Sequence, residues 1–426
     1  MPAHDLPRDR LGAYRRTLAV RDFRLLWFGS SLSLAGDGMT FVALSWLVLS
    51  QPDGTRRLGL LAVCYTLPVF AGGLLAGPVL DRFDKRHVLA ADSVVRGAAV
   101  ASIPIAATVG EVPAAAPFLV AAVYGLFKMV PLAGFPAAIP DLVPAERRDA
   151  ANALESVSFS VAGMIGPALG GALIGVIGAE GVLALDAASY VVFAATALGV
   201  RRPLRGYPAP SKAPSPAPPP AEARVAALFR DRVLVLTTLA FMAFNVAEGM
   251  LLVVGPWLAK HQLPGGPQAL GLLLAALAAG ELLGAAAAGA RGPRTRPVAA
   301  IALVQLVAAT GFLAVALAPH TLPVAAGFLA IGLFSAPMTV WAQSLRMDRI
   351  PAPLRGRGFA VLRTLMQATP PLGAVCATPL LDDGLLVPAA ATMTLVAAVP
   401  GAVLLAAARR LDRPDRTGGA VLPEPA

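Results

Sequence analysis

The decapeptide GPVLDRFDKR, residues 77–86, is a knot of five charged side chains between two long apolar runs, Leu58 to Leu80 and Val88 to Val109. A soluble helical hairpin alternates polar and apolar faces along its arms. These arms are mostly apolar over more than 20 residues, the length that spans a bilayer. The charged decapeptide is then a turn at the membrane surface, and the flanking runs are membrane helices.

The same pattern repeats in both directions. Twelve runs of sufficient length are predicted. Six lie in the first half, at Leu25 to Leu49, Leu58 to Leu80, Val88 to Val109, Ala116 to Ile139, Ala150 to Ile177 and Gly181 to Val200. Six lie in the second, at Val233 to Ala259, Ala269 to Gly289, Pro297 to Ala318, Leu322 to Leu345, Gly358 to Leu381 and Leu385 to Ala408. Hydrophobic residues make up 57% of the 426 and charged residues only 14%, an apolar excess too large for the core of a water-soluble protein. Residues 208–220 are almost entirely Pro, Ala and Ser and cannot bury enough surface to fold, so they read as a linker. The expected organisation is a tail at 1–24, a six-helix bundle at 25–200, a linker at 201–232, a second bundle at 233–408 and a tail at 409–426.

Charge sets the orientation. With the N-terminus cytoplasmic, 29 of the 35 Lys and Arg fall in inner loops and tails, against three (Arg56, Arg57 and Lys260) outside. That asymmetry places both termini in the cytoplasm and calls for an even number of spans. The net charge of +10 is absorbed by this pattern, and no nucleic-acid partner is expected. Arg21-Asp22 before the first run recurs as Arg230-Asp231 before the seventh, and Asp141-Leu-Val-Pro144 recurs as Asp348-Arg-Ile-Pro351 at nearly the same offset. The two halves therefore read as parallel repeats.

Residues 77–86 resemble the signature loop of the major facilitator superfamily, G-x-x-x-D-R-x-G-R/K-R/K, with Asp84 where that family has glycine. The resemblance implies an all-α membrane protein of about twelve transmembrane helices in two pseudo-symmetric six-helix bundles. It also implies a cytoplasmic gate made of Gly77, Asp81, Arg82, Lys85 and Arg86, with Asp81 latching onto the start of the eleventh helix. A carboxylate at a helix N-terminus gains roughly 0.3–1 kcal/mol, up to ~2 when partly buried.

The stretch AGMIGPALGG, residues 162–171, is similar to the family's antiporter motif, G-x-x-x-G-P-x-x-G-G, with Ala162 in place of its first glycine. Gly163, Gly166, Pro167, Gly170 and Gly171 are then expected to form a hinge with a side-chain-free face, matched by Gly280 and Gly284 in the eighth helix. Arg24 to Asp37, Pro144 to Asn152 and Leu354 to Arg357 also look like the branch that holds macrolide efflux proteins and the enterobactin exporter.

Ionisable residues inside membrane helices are costly, about 3 kcal/mol each at the centre on insertion scales. Asp92, Arg96, Glu155 and Arg363 fall near the cytoplasmic ends of their runs and Asp186 near an outer end, where snorkelling and local pairing suffice, Asp92 and Arg96 being i,i+4 partners. Asp37, Lys128, Glu248 and Glu281 fall midway and are the candidates for proton coupling and cavity lining. By the repeat offset Asp37 and Glu248 are expected to face each other. Asp37 is alternatively held by Lys128 or by Ser31 and Ser33, and Glu281 by a bond to the fifth helix. A carboxyl in a low-dielectric cavity favours its neutral form and can exchange a proton for a cationic guest.

Neither a nucleotide-cradling Gly-Lys-Ser/Thr loop nor a nucleophile paired with a base is present, and Cys64 and Cys376 lie in separate halves. An enzyme, a metal site and a cofactor are not expected. The expected function is a proton-coupled secondary exporter of small amphipathic molecules (drug, natural product or siderophore), acting as a monomer in a bacterial inner membrane. Its partners are the small-molecule substrate, protons and the lipid bilayer. Import or facilitation of a metabolite, and a non-transporting scaffold or sensor, are the alternatives.

Overall fold

The computed structural model describes residues 8–204, 225–290, 296–350 and 355–412. The proline-rich linker at 208–220, the loop from Arg291 to Arg294, Pro351, Leu354 and the outermost tails lie outside the described residues.

Among the described residues, ten helical segments are long and apolar enough to cross a membrane. One of them, Ala145–Leu198, crosses twice, because Gly178 at φ 74° and ψ 171° reverses the chain midway. Another crossing is made of two shorter helices, Arg355–Gln367 and Pro370–Asp382, which meet at Thr369 where two consecutive prolines remove backbone donors. The crossings therefore number twelve. Span 1 is Arg21–Leu49, span 2 Gly54–Arg82, span 3 Lys85–Val109 and span 4 Ala116–Leu142. Spans 5 and 6 are residues 148–177 and 179–198. Span 7 is Arg232–His261, span 8 Pro267–Ala290, span 9 Pro297–Leu317, span 10 Thr321–Arg349, span 11 residues 355–382 and span 12 Leu386–Leu411. A short helix, Arg8–Leu18, precedes span 1 within the stretch expected to be a tail. Helices satisfy every interior backbone donor within the segment, which lipid demands.

At the end of the molecule that carries residues 20 and 412, hereafter the near end, carboxylates cap helix N-termini. Asp84 accepts from Arg86 N at 3.1 Å, Asp231 from Val233 N at 2.8 Å, and Asp412 from Val298 N at 2.9 Å and Ala299 N at 3.1 Å. Each satisfies otherwise orphaned amides and complements the helix dipole.

The two halves touch mainly through glycines. A Cβ on Gly171 of span 5 would strike the Pro267 carbonyl of span 8, and one on Gly271 of span 8 would lie 2.6 Å from the Pro167 carbonyl. Gly59 of span 2 likewise leaves room for Thr378 of span 11. Gly280 and Gly284 pack against Leu329 and Leu333 of span 10 instead of span 5, so the expected pairing with the 162–171 motif is corrected to Gly271. Without a hydrophobic force between helices in lipid, such close backbone approach supplies the dispersion contacts that hold the bundles together.

The far end is closed. Arg56 Nε lies 2.8 Å from Asp382 Oδ2, Lys260 donates to Ser50 Oγ at 3.3 Å, and its ammonium sits 4.4 Å from the centre of the Trp46 ring. Among the described residues these contacts join the two halves, and all are at the far end. At the near end the buried apolar residues form two separate clusters. One is Phe23, Phe135, Leu142, Phe193 and their neighbours, entirely within the first half, and the other is Leu228, Leu234, Ile350, Leu362 and Met366, entirely within the second. Among the described residues the polar side-chain contacts between the halves lie at the far end, while these two near-end clusters each stay within one half.

Substituting Leu at Gly171 or Gly271 is expected to overpack this contact and destabilise the protein by about 1–3 kcal/mol. Gly289→Ala, whose Cβ would meet nothing within 4 Å, is the silent control. Thermal unfolding in detergent, with gel-filtration homogeneity, distinguishes the two classes.

Candidate functional site

A cavity of about 340 Å³ lies between the halves. Its walls come from spans 1, 2, 4 and 5 (Leu34, Asp37, Phe41, Tyr65, Tyr124, Lys128, Phe159, Ala162, Gly163, Pro167) and from spans 7 and 8 (Leu252, Leu274, Leu277, Ala278, Glu281). Span 10 contributes no residue to it. Spans 5 and 8 approach so closely through glycine that Gly163 and Ala278 complete the wall, 3.8 Å apart by Gly163's virtual Cβ. The lining is mostly aliphatic and aromatic with three charged groups, the composition of a small-molecule pocket.

Asp37 is held by neither Lys128 nor the serines. Arg96 of span 3 donates through Nη1 to both Asp37 oxygens at 3.2 Å and to Tyr190 Oη at 3.0 Å, while Nε and Nη2 reach Asp92 Oδ2 at 3.1 and 2.6 Å. Tyr190 of span 6 in turn donates to Asp37 Oδ1, and its ring centre lies 4.6 Å from the guanidinium. Arg96 is 1% exposed and Asp92 2%, so neither snorkels to the membrane surface. Asp186 belongs to the same polar interior. It is fully buried, accepts from Thr40 of span 1 and from Ser189 at 2.9 Å, and fits because Gly36 has no side chain where its carboxylate lies.

The expected local pair of Asp92 and Arg96 is present, but Arg96 also reaches Asp37 and Tyr190, and Asp186 is bonded from span 1. The helical faces of spans 1, 3 and 6 turn these residues toward one another, and the i,i+4 spacing of Asp92 and Arg96 was the signal in the sequence that they act together. Ser31 bonds its own helix at Trp27 O, and Ser33 Oγ has no partner.

Lys128 faces the cavity with its ammonium 5.6 Å from the Tyr65 ring centre. Glu281 lines the opposite wall and, among the described residues, makes no hydrogen bond or ion pair, so the expected bond to span 5 is absent. Glu248 is half-buried behind it and has Glu281, not Asp37, as its charged neighbour. The expected pairing of Asp37 with Glu248 is therefore corrected. Arg96 draws Asp37 into its own half, and Glu248 faces span 8.

Within the 162–171 motif, Gly166 and Gly170 face span 1, where a Cβ would meet the Ala35 carbonyl and Met39, and Gly171 faces span 8. The motif stays helical through Pro167, and the non-helical residue in this segment is Gly178.

In the 77–86 loop, Asp81 and Arg82 are exposed and a Cβ on Gly77 would meet nothing. Asp81 has no partner among the described residues, and the residues that begin span 11, where the latch is expected, lie partly outside them. The working carboxylate is Asp84, which besides capping span 3 accepts from Leu204 N at 3.1 Å. Lys85 Nζ reaches Leu204 O at 3.3 Å and Asp141 at 3.5 Å, and Arg86 donates to Val200 O at 3.2 Å. Asp84, Lys85 and Arg86 thereby fasten the segment leaving span 6.

Twelve spans in two bundles around a shared cavity, closed at one end, define a membrane transport fold. A family model described as Major Facilitator Superfamily matches residues 26–374, and the chain belongs to that family. It is 28% identical to the multidrug efflux pump Tap of Mycolicibacterium fortuitum, over 84% of this chain and 88% of that protein. Among solved structures it is similar to a bacterial homologue of the human lysosomal transporter Spinster, in an inward-facing and unoccupied conformation. That likeness has a TM-score of 0.67 at 16% identity, covering 93% of this chain and 98% of the other. A peptide transporter in complex with alafosfalin matches at TM-score 0.71 and 14% identity, over 91% and 94%.

Replacing Arg96 with Met leaves Asp37 and Asp92 buried without their shared cation, and a loss of about 3–5 kcal/mol in unfolding free energy is expected. Tyr190→Phe removes one hydrogen bond and should cost about 0.5–1.5 kcal/mol. Gly163→Ala, which enters at ordinary contact distance, should be tolerated where Gly171→Ala is not. Denaturant titration of the purified protein checks all four.

Proposed function

We propose that this chain is a proton-coupled exporter of small amphipathic organic molecules, drugs, natural products or siderophores, working by alternating access from a bacterial cell membrane with both termini cytoplasmic. The observation that carries the proposal is the interfacial cavity, with Glu281 unpartnered on one wall and Asp37 clamped by Arg96 on the other. The efflux activity named for the 28% identical relative supports the direction.

With the near end cytoplasmic, the structure is open to the cytoplasm and closed outside by Arg56–Asp382 and Lys260–Trp46. A guest enters from the cytoplasmic side and lays its apolar body against Leu34, Phe41, Leu252 and Leu277. Glu281 attracts a cationic group, and Lys128 tempers the negative potential of the cavity. Binding favours the ionised Glu281, whose proton leaves. When the halves rock to open outward, the guest departs and Glu281 is reprotonated from outside. Asp37 serves as a second control point. Protonating it removes the charge that holds Arg96 Nη1 and loosens span 1 from span 3. In the outward-open state Asp81 reaches the N-terminus of span 11 and takes up its latching role.

In energised inverted vesicles, adding a transported dye, macrolide or siderophore should release protons in the wild type and not in Glu281→Gln, which should still bind the compound. Coupled uphill efflux that persists in Glu281→Gln removes that residue's role. Efflux that ignores an imposed proton gradient removes the coupling altogether.

A further inference from the structure

A second cavity, of about 440 Å³, lies wholly within the first half, between spans 2, 3 and 4. It is separate from the interfacial cavity and shares none of its lining residues. Its volume falls in the range of small-molecule sites, and its walls are almost entirely apolar. Leu75, Val79, Phe83 and Val95, which line it, are 37–60% exposed, so its mouth faces the lipid.

One residue does not belong in such a groove. Span 3 contributes Val88, Ala91, Asp92 and Val95, spaced i, i+3, i+4 and i+7, so Asp92 lies on the helical stripe that faces the groove. Its Oδ2 is taken by Arg96, while Oδ1 is buried and has no hydrogen-bond partner. A buried acceptor without a donor is costly, and more so when charged. The surrounding charges do not supply one. Arg96 is shared between Asp92 and Asp37, so one guanidinium faces two carboxylates and the cluster is one negative charge in excess. Tyr190 spends its hydroxyl on Asp37, and His87 lines the groove without bonding Asp92. Asp92 lies seven residues into span 3, about 10 Å along the axis from the membrane surface.

We infer that this groove is a ligand site for a single-chain organic cation, whose alkyl body fills the apolar cleft and whose ammonium donates to Asp92 Oδ1. The missing donor and the excess negative charge both call for a cation, and the lipid-facing mouth calls for an apolar tail. The site does not depend on the transport reading, because its test reads binding alone.

The probe is dodecylamine carrying a terminal diazirine, photolysed on the full-length protein in nanodiscs, with labelled peptides mapped by mass spectrometry. Labelling of spans 2 and 3 around Leu75, Val79 and Val95 is expected, displaced by dodecylamine but not by dodecanol or dodecyl phosphate. Loss of a charge-assisted hydrogen bond in Asp92→Asn should weaken this labelling about tenfold or more. Ala91→Phe, which fills the cleft without touching the Arg96 network, should abolish it, and serves if the asparagine variant does not fold. Equal displacement by the alcohol or the phosphate would show an acyl-chain groove for lipid and overturn the inference. So would groove labelling that survives Ala91→Phe. Labelling confined to the interfacial cavity overturns it as well.

Discussion

A single guanidinium organises the first half of this molecule. Arg96 reaches Asp37 on span 1, Asp92 on its own helix and Tyr190 on span 6, and it is closed off from water. In lipid such a group cannot be left to solvent, so the three helices must keep their rotations for its donors to be met. The Asp186–Thr40 contact, one turn along span 1, repeats the constraint between the same two helices, with Gly36 clearing the space. This polar interior ties spans 1, 3 and 6 of the first half to one another.

The second constraint is steric. Gly171 and Gly271 bring the backbones of spans 5 and 8 into contact, and Gly59 makes room for the Thr378 side chain between spans 2 and 11. The polar contacts that close the far end are few and exposed: an Arg56–Asp382 pair and a lysine on a tryptophan. Exposed pairs of this sort are worth a few tenths of a kcal/mol to about 1 kcal/mol.

The two polar centres are built for different work. Asp37 is saturated by Arg96 and Tyr190, whereas Glu281 is presented to the cavity with no partner. The near-end carboxylates Asp84, Asp231 and Asp412 are spent on capping helices and fastening connections. Asp84 stands where the family pattern has glycine, and its bond to Leu204 N shows what the substitution adds, a tether for the chain leaving the first bundle.

Much was legible from residue order alone. Run lengths marked the spans, and the 77–86 and 162–171 motifs named the family. Depth also placed Asp37, Lys128 and Glu281 at the cavity, because depth follows from counting residues along a helix. Partnership did not follow. Arg96 keeps its expected partner Asp92 but gains Asp37 and Tyr190, while Asp186, Glu248, set opposite Asp37, and Gly280, set against span 5, each have other neighbours. Hydropathy along a chain determines how far each residue lies from the membrane surface. The rotation of each helix about its own axis, and so which side chains meet, is decided only when all twelve pack and every buried polar group must find a partner.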